Sequence, residues 1–261
     1  MAKNVEITIH GPVARVTLNR PDRHNAFDDT VIAALASSFD ALAKQSAVRV
    51  VVLAAAGRSF SAGADLEWMK RTAAYSPAEN EADAAVLAGM LGKLNGLTKP
   101  TVALVQGGAY GGGVGLVAAC DIAIAADDAV FSLSEVRLGI IPSVISPYVV
   151  AAIGPRAARR YFLTAERFGA HEAHRIGLVH EVVPVDDLAA AGDRMVERLL
   201  AAGPNAAEQA KKLIADVAGR PVDADLIAET ARRIAQIRTG PEGQEGIAAF
   251  LERRKPVWRR D

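Results

Sequence analysis

The sequence predicts an α/β fold in which strands and helices share the first two-thirds and helices alone fill the remainder. Three observations predict it. Residues 49–54, 101–105 and 121–125 are short runs that stay apolar on both faces, as strands buried between two layers do. The stretches between them carry helical periodicity and open on capping residues. From about residue 155 onward strand-like runs give way to successive alanine-rich segments with helical spacing.

Taken in order, residues 5–9 and 13–18 alternate apolar and polar side chains around Gly11-Pro12, which suggests a hairpin. Asp29 is the expected N-cap of a helix running to about Lys44, with Ile32, Leu35, Phe39 and Leu42 on one stripe. The strand at 49–54 follows, then a helix opened by Ser76-Pro77 that ends near Gly96. After the strand at 101–105, Gly111-Gly112-Gly113 begins a helix through Ala119, and 121–125 returns as a strand. Helices are expected over 155–163, 171–176, 186–202, 205–217 and 225–239. Those past about residue 186 carry apolar stripes with little sheet left to cover them, so they are expected to pack back on the body or on another subunit. Residues 1–190 read as the catalytic core and 191–261 as a helical region.

Composition narrows the function. Lys and Arg total 30 and so do Asp and Glu, leaving no net field to draw in nucleic acid or membrane. A basic tail at 253–260 is too short to change this. Cys120 is the single cysteine, so no intramolecular disulfide forms and a reducing compartment is the simplest reading. Residues 1–19 lack the unbroken apolar stretch of a signal peptide, and every apolar tract is interrupted before it reaches a membrane-spanning length. A soluble, cytoplasmic protein is expected.

Three segments carry chemistry: 58–66, 106–115 and 131–142. The second runs Gln-Gly-Gly-Ala-Tyr-Gly-Gly-Gly-Val-Gly between a strand and an apolar helix. Residues without Cβ let a ligand approach the main chain and let N–H vectors converge, and a helix N-terminus adds a positive dipole end. That suits a developing oxyanion, although a glycine-lined packing contact reads equally well. No Gly-Lys-Ser/Thr follows, which excludes a phosphate-gripping P-loop, and the dinucleotide glycine fingerprint is not matched. Ser61-Ala62-Gly63-Ala64-Asp65 is a second turn of small residues with Asp65 as a helix cap; alone it is a loop and a cap. His171 and His174 stand three apart on an expected helix, but no third ligand is visible and no metal is expected.

Together these segments resemble the crotonase (enoyl-CoA hydratase/isomerase) superfamily over essentially the whole chain. The matching pieces are Asn19-Arg20-Pro21 with Asn25-Ala26, residues 59–65, Gly111-Gly112-Gly113 with Ala119-Cys120-Asp121, residues 131–142, Gly177-Leu178-Val179, and residues 250–258. The resemblance implies a spiral of ββα units followed by a C-terminal helical trimerisation region, and a homotrimer or a hexamer of paired trimers. It also implies that the N–H groups of Ala64 and Gly112 form an oxyanion hole for the thioester carbonyl of an acyl-CoA substrate, each donor worth roughly 3–4 kcal/mol of barrier. Coenzyme A then enters as part of the substrate, and no redox or metal cofactor is implied.

Hydration of an α,β-unsaturated thioester needs a base toward water and an acid toward Cα. The hydratase branch supplies two glutamates; Glu135 matches one, and the other position is Gly115. Glu135 then either performs both transfers, or moves a proton between carbons as in the isomerases, or the room at Gly115 holds part of the substrate. Residues 131–150 look most like bacterial methylglutaconyl-CoA hydratases, which share the Gly-Gly-Gly-Val-Gly variant. The bland alternative for Glu135 is a surface carboxylate paired with Arg137 or Arg156. An apolar pocket from Leu133, Leu138, Ile140 and Ile141 would raise its pKa toward the working range, with Pro142 beside it. Ser143, Ser146 and Tyr148 either position water or a distal carboxylate or are loop and cap residues. For coenzyme A the resemblance points to Arg23, His24, Ala26, Ala62, Asp65 and Leu66, with Phe250 and Lys255 on a tail that in relatives reaches a neighbouring subunit's coenzyme. The rival classes are a non-catalytic acyl-CoA binder and, on the basic tail alone, an RNA binder.

Overall fold

The computed structural model describes residues 4–259. Residues 1–3, where the segment read for a leader begins, and Arg260, where the basic tail ends, lie outside the described residues. The chain begins with an antiparallel hairpin, β1 (Val5–His10) and β2 (Val13–Leu18), turning at Gly11-Pro12 as the alternation required. Next come α1 (Asp29–Ala43), β3 (Val50–Ala55), the short α2 (Leu66–Thr72) and α3 (Pro77–Asn95). The cap of α1 is Asp28, not Asp29: the Asp28 carboxylate accepts from Val31 N–H at 2.9 Å. At α3 the Ser76 hydroxyl and Glu79 carboxylate satisfy each other's backbone N–H groups in a capping box.

The middle of the chain repeats a unit. Strands β4 (Thr101–Val105) and β5 (Gly108–Tyr110) lead into α4 (Gly112–Ala119); β6 (Ile122–Ala126) and β7 (Val130–Ser132) lead into α5 (Ser146–Thr164). Strand β6 lies parallel to β4 in one sheet while β7 lies parallel to β5 in another, so each turn of chain adds one strand to each sheet. This is the spiral. Then follow β8 (Phe168–Gly169), α6 (Ala170–Arg175) and β9 (Glu181–Val183), and last α7 (Leu188–Ala201), α8 (Pro204–Val217), α9 (Ala224–Thr239) and α10 (Pro241–Leu251). The sheets are six-stranded, β1-β2-β3-β4-β6-β9, and three-stranded, β5-β7-β8.

The apolar runs behave as two-faced strands. Val51, Leu53, Ala103 and Val105 face the main core with α1, α3, α4 and α5. Val50, Val52, Val102, Leu104 and Ile124 face a second cluster closed by Leu188, Ala191 and Val196 of α7. So α7 packs back on the body, one of the two outcomes expected for the helices past residue 186, and finds more sheet to cover than the sequence suggested; residue 190 lies within α7. Farther on, Ile214, Ile227, Ile234 and Ile247 are exposed along α8, α9 and α10. Helix α5 begins at Ser146 rather than 155, because Gly154 (φ 72°) kinks one helix into two and Pro155 starts only the second. No helix of the described residues is long and apolar enough to cross a membrane.

Candidate active site

Two turns are joined main chain to main chain. Ser61 N–H donates to Gly108 O at 3.0 Å and Tyr110 N–H to Ser61 O at 2.9 Å. A Cβ on Gly63 would lie 2.8 Å from Tyr110 O, and one on Gly113 2.8 Å from Ser61 O, so only glycine lets these backbones meet. Phe27 N–H donates to Gly63 O and Asp65 N–H to Phe27 O, each at 2.7 Å. Phe27 thus bonds the two neighbours of Ala64 in a parallel bridge, which turns the N–H of Ala64 to the opposite side. That N–H finds no acceptor among the described residues, and neither does the N–H of Gly112 at the first position of α4.

Gly111 delivers the third component. It adopts φ 49°, ψ −116°, a conformation that side-chain-bearing residues rarely take, and its N–H donates to Ser132 O at 2.9 Å. That bond holds the end of β7 against the glycine turn, and three residues later Glu135 opens the 3-10 turn Glu135–Leu138. A Cβ on Gly111 would stand 3.1 Å from Glu135 Oε1. The carboxyl therefore lies against the turn that carries the free Gly112 amide. Glu135 is half-buried, Oε2 is buried with no hydrogen-bond partner, and no ion pair among the described residues includes it. Arg137 is exposed and Arg156 lies in a different hollow with Arg160 and Glu172, so the surface-pair alternative fails. Burial pushes the Glu135 pKa up, and no cation opposes it.

A cavity of about 740 Å³, within the usual span of small-molecule sites (~300–1,000 Å³), is lined by Ala64, Gly111, Gly112 and Glu135. Its rim bears the exposed apolar side chains Leu66, Leu138, Ile140 and Ile141.

With that geometry in view, the family model for enoyl-CoA hydratase/isomerase matches residues 8–261. The chain belongs to the crotonase family. It is 44% identical to an enoyl-CoA hydratase of Shewanella pealeana whose crystal structure superposes with a TM-score of 0.95, covering 98% of this chain and 96% of that one. The Pseudomonas aeruginosa protein AtuE is 36% identical, TM-score 0.94, over 98% and 100% of the two chains. A hydroxycinnamoyl-CoA hydratase-lyase of Pseudomonas fluorescens is 34% identical, over 80% of this chain and 77% of its own.

In this crotonase the cavity takes Ala62, Ala64, Leu66, Gly112, Glu135, Leu138, Ile140, Pro142 and Ser143 from the residues expected at the site. Leu133 does not line it; the side chain is fully buried in the main core. Gly115 leaves no room either. A Cβ there would meet Ile145 Cγ2 at 2.3 Å, so Ile145 fills the space where the hydratase branch carries its second carboxylate. Arg23, His24, Ala26 and Asp65 stand beside the lining rather than in it. Asp65 caps α2 and is paired with Arg20 and Arg23, both at 3.4 Å, while Arg20 also bonds Asp28 at 2.9 Å and Ala26 O at 3.0 Å. Buried Asn25 ties the same loop to Ala56 O and Ser59 O, and Ala62 N–H bonds His24 O, so the two expected coenzyme loops form one unit. Phe250, 82% exposed, and Lys255 line none of this chain's cavity. Ser146, the first residue of α5, donates its hydroxyl to Ser143 O in the preceding loop and does not cap the helix, and Tyr148 lies outside the cavity near Gly92.

Sequence reasoning missed Phe27, Trp68, Asp83, Leu87 and Ile145 in the lining. Trp68 had a signal, three residues past the Asp65 cap and so in the first turn of a helix. Ile145 had none, since its stretch read as loop.

Proposed function

We infer that this crotonase adds water across the α,β double bond of a short, branched acyl-CoA, with methylglutaconyl-CoA the first substrate to test. The observation that carries the reading is one unpaired, half-buried carboxyl, Glu135, against a turn whose free amide shares a cavity with a second free amide. As the carboxylate, Glu135 takes a proton from water while the water oxygen bonds to Cβ of the substrate. The displaced electron pair runs to the thioester oxygen, which accepts from Ala64 N–H and Gly112 N–H as an enolate. The carboxyl then returns the proton to Cα, and the enolate collapses to the saturated thioester. One carboxyl on one face of the alkene implies syn addition. Coenzyme A enters as the carrier of the acyl group, and the steps call on no metal or redox group.

Among the described residues no lysine, arginine or histidine lines the cavity, so a distal carboxylate on the acyl group would rely on Ser143, Asn80 or a neighbouring subunit. The exposed isoleucines of α8, α9 and α10 suit contacts between the subunits of a trimer or a trimer pair. Loss of conjugated-thioester absorbance on incubation with crotonyl-CoA, methylcrotonyl-CoA and methylglutaconyl-CoA tests the reading. No loss with any of them sinks it. A single carboxylate also suits an isomerase, and appearance of that absorbance from a β,γ-enoyl-CoA, without hydration of the conjugated ester, would put isomerisation in its place.

A further inference from the structure

The cavity has a tie across it. Trp68 on α2 and Asp83 on α3 both line it, and the indole Nε1–H donates to Asp83 Oδ1 at 3.2 Å. Trp68 is 8% exposed; it is a large ring held almost wholly by protein. The two helices have different footings. Helix α2 hangs from the oxyanion turn through its cap, Asp65, the residue after Ala64. Helix α3 runs past the opposite end: Leu91 would lie 3.7 Å from a Cβ on Gly115, beside Ile145. Asp83 is eight residues before Leu91, so about 12 Å along the helix axis from that spot, with Leu87 on the same face between them. Ile145 with Leu91 therefore marks one limit of this wall, and the Trp68–Asp83 pair sits about two turns away from it.

Among the described residues this is the one side-chain hydrogen bond between α2 and α3, and α2 has only seven residues, so this bond together with the packing of the buried ring sets its position. We propose that the Trp68–Asp83 pair sets the reach of the acyl chain, holding the indole as a fixed wall so that short acyl groups are chosen over long straight ones. This rests on the acyl-CoA reading above and adds the residues that decide chain length. Trp68 bounds the acyl group directly; Asp83 acts through it, as a positioning residue.

The test is the ratio of kcat/KM for crotonyl-CoA to that for a decenoyl-CoA, together with calorimetric Kd values for butyryl-CoA and decanoyl-CoA, which need no turnover. Trp68→Ala should lower the short-over-long ratio by about tenfold or more, the scale on which a hydrophobic pocket discriminates. Asp83→Asn keeps the bulk and weakens the tie, and Trp68→Phe keeps an aromatic ring and removes it, so they carry the test if Trp68→Ala fails to fold. Each should relax the ratio, Trp68→Phe by more, and the double variant no further than Trp68→Phe alone, because both act on one bond. Ratios that stay at the wild-type value while both substrates slow in step would overturn the proposal. Wild-type protein that turns over no enoyl-CoA of either length would instead sink the hydratase reading, and the binding ratios would then decide the chain-length proposal by themselves.

Discussion

Gly115→Ala sets two effects against each other. Gly115 is an interior residue of α4 with ordinary helical geometry, where glycine to alanine normally gains ~0.5–1 kcal/mol. Here the new Cβ would stand 2.3 Å from Ile145 Cγ2 and 2.9 Å from Ile145 Cβ, with Leu91 Cδ1 at 3.7 Å behind. Ile145 and Leu91 are buried, at 3% and 0% exposure, so neither has open space to retreat into. Overpacking of this kind costs ~1–3 kcal/mol, which exceeds the helical gain, so Gly115→Ala is expected to lose about 1 kcal/mol or more. In a chain of this size that is a fall in Tm of about 2–4 °C for each kcal/mol. Urea and thermal unfolding at matched protein concentration measure it. Ile145→Ala removes Cγ2, so the double variant should be more stable than the sum of the single losses, with a coupling of about 1 kcal/mol. Ile145→Val keeps that methyl and should give no relief. A Gly115→Ala protein as stable as its parent would show that Ile145 swings aside freely, and the claim that its side chain closes the site would fall.

Other expectations are separately measurable. Glu135→Gln should cut kcat by about 100-fold or more while acyl-CoA binding, read by calorimetry, survives; unchanged turnover would move the proton transfer elsewhere. Because burial raises the Glu135 pKa and the base must be ionised, the acid limb of kcat/KM should lie above the ordinary carboxylate range in the parent. The same shift has a stability sign: a carboxyl whose folded pKa is raised contributes stability that is present in acid and lost as pH rises through the folded value. Glu135→Gln should therefore melt higher than the parent near neutrality, with the gap closing on acidification, and melts across a pH series would reveal a gap of the wrong sign. Gly112→Ala places a Cβ 2.7 Å from Phe27 Cε2 and pushes the Gly112 amide out of place, so, with that amide as an oxyanion donor as proposed, kcat should drop by roughly 100-fold with partial recovery in Gly112→Ala/Phe27→Leu. Finally, burial, helped by Asp121 next to it, pushes the Cys120 thiol up to about 12, so native protein at neutral pH should resist a thiolate-specific dye that labels it at once in urea.

What the sequence made legible divides by the kind of interaction. Strands such as 101–105 were readable because burial on both faces leaves a nearly unbroken apolar run, and α3 because Ser76-Pro77 marks its start. The three-residue strands β5 and β7 were not: each is too short to show an alternating pattern, and Gly108-Ala109-Tyr110 pairs because the Ser61 turn and β7 lie against it. Helix α10 went unread because Gly243 and Gly246 dilute its pattern and its support is tertiary, with Arg254 clamping Glu245. At the site, Glu135, Ala64 and Gly112 were reachable through motif order. The exclusion of Gly115 was not, because it depends on Ile145, thirty positions away in sequence, and only coordinates bring the two together.

That pairing bears on the chemistry. Each site glycine is fixed by a different neighbour: Gly63 by Tyr110 O, Gly113 by Ser61 O, Gly112 by the Phe27 ring, and Gly115 by Ile145. The first three keep the amides where an enolate oxygen can reach them. The fourth removes a carboxylate and seals the gap with a hydrocarbon, so a glutamate cannot return to that position unless Ile145 shrinks with it. A two-carboxylate site is thus two coordinated substitutions away, and each alone would be harmful: Gly115→Glu overpacks, and Ile145→Ala leaves a cavity worth ~2–5 kcal/mol. On the hydratase reading, packing, and not only the absence of one side chain, leaves Glu135 as the carboxyl that would move the protons.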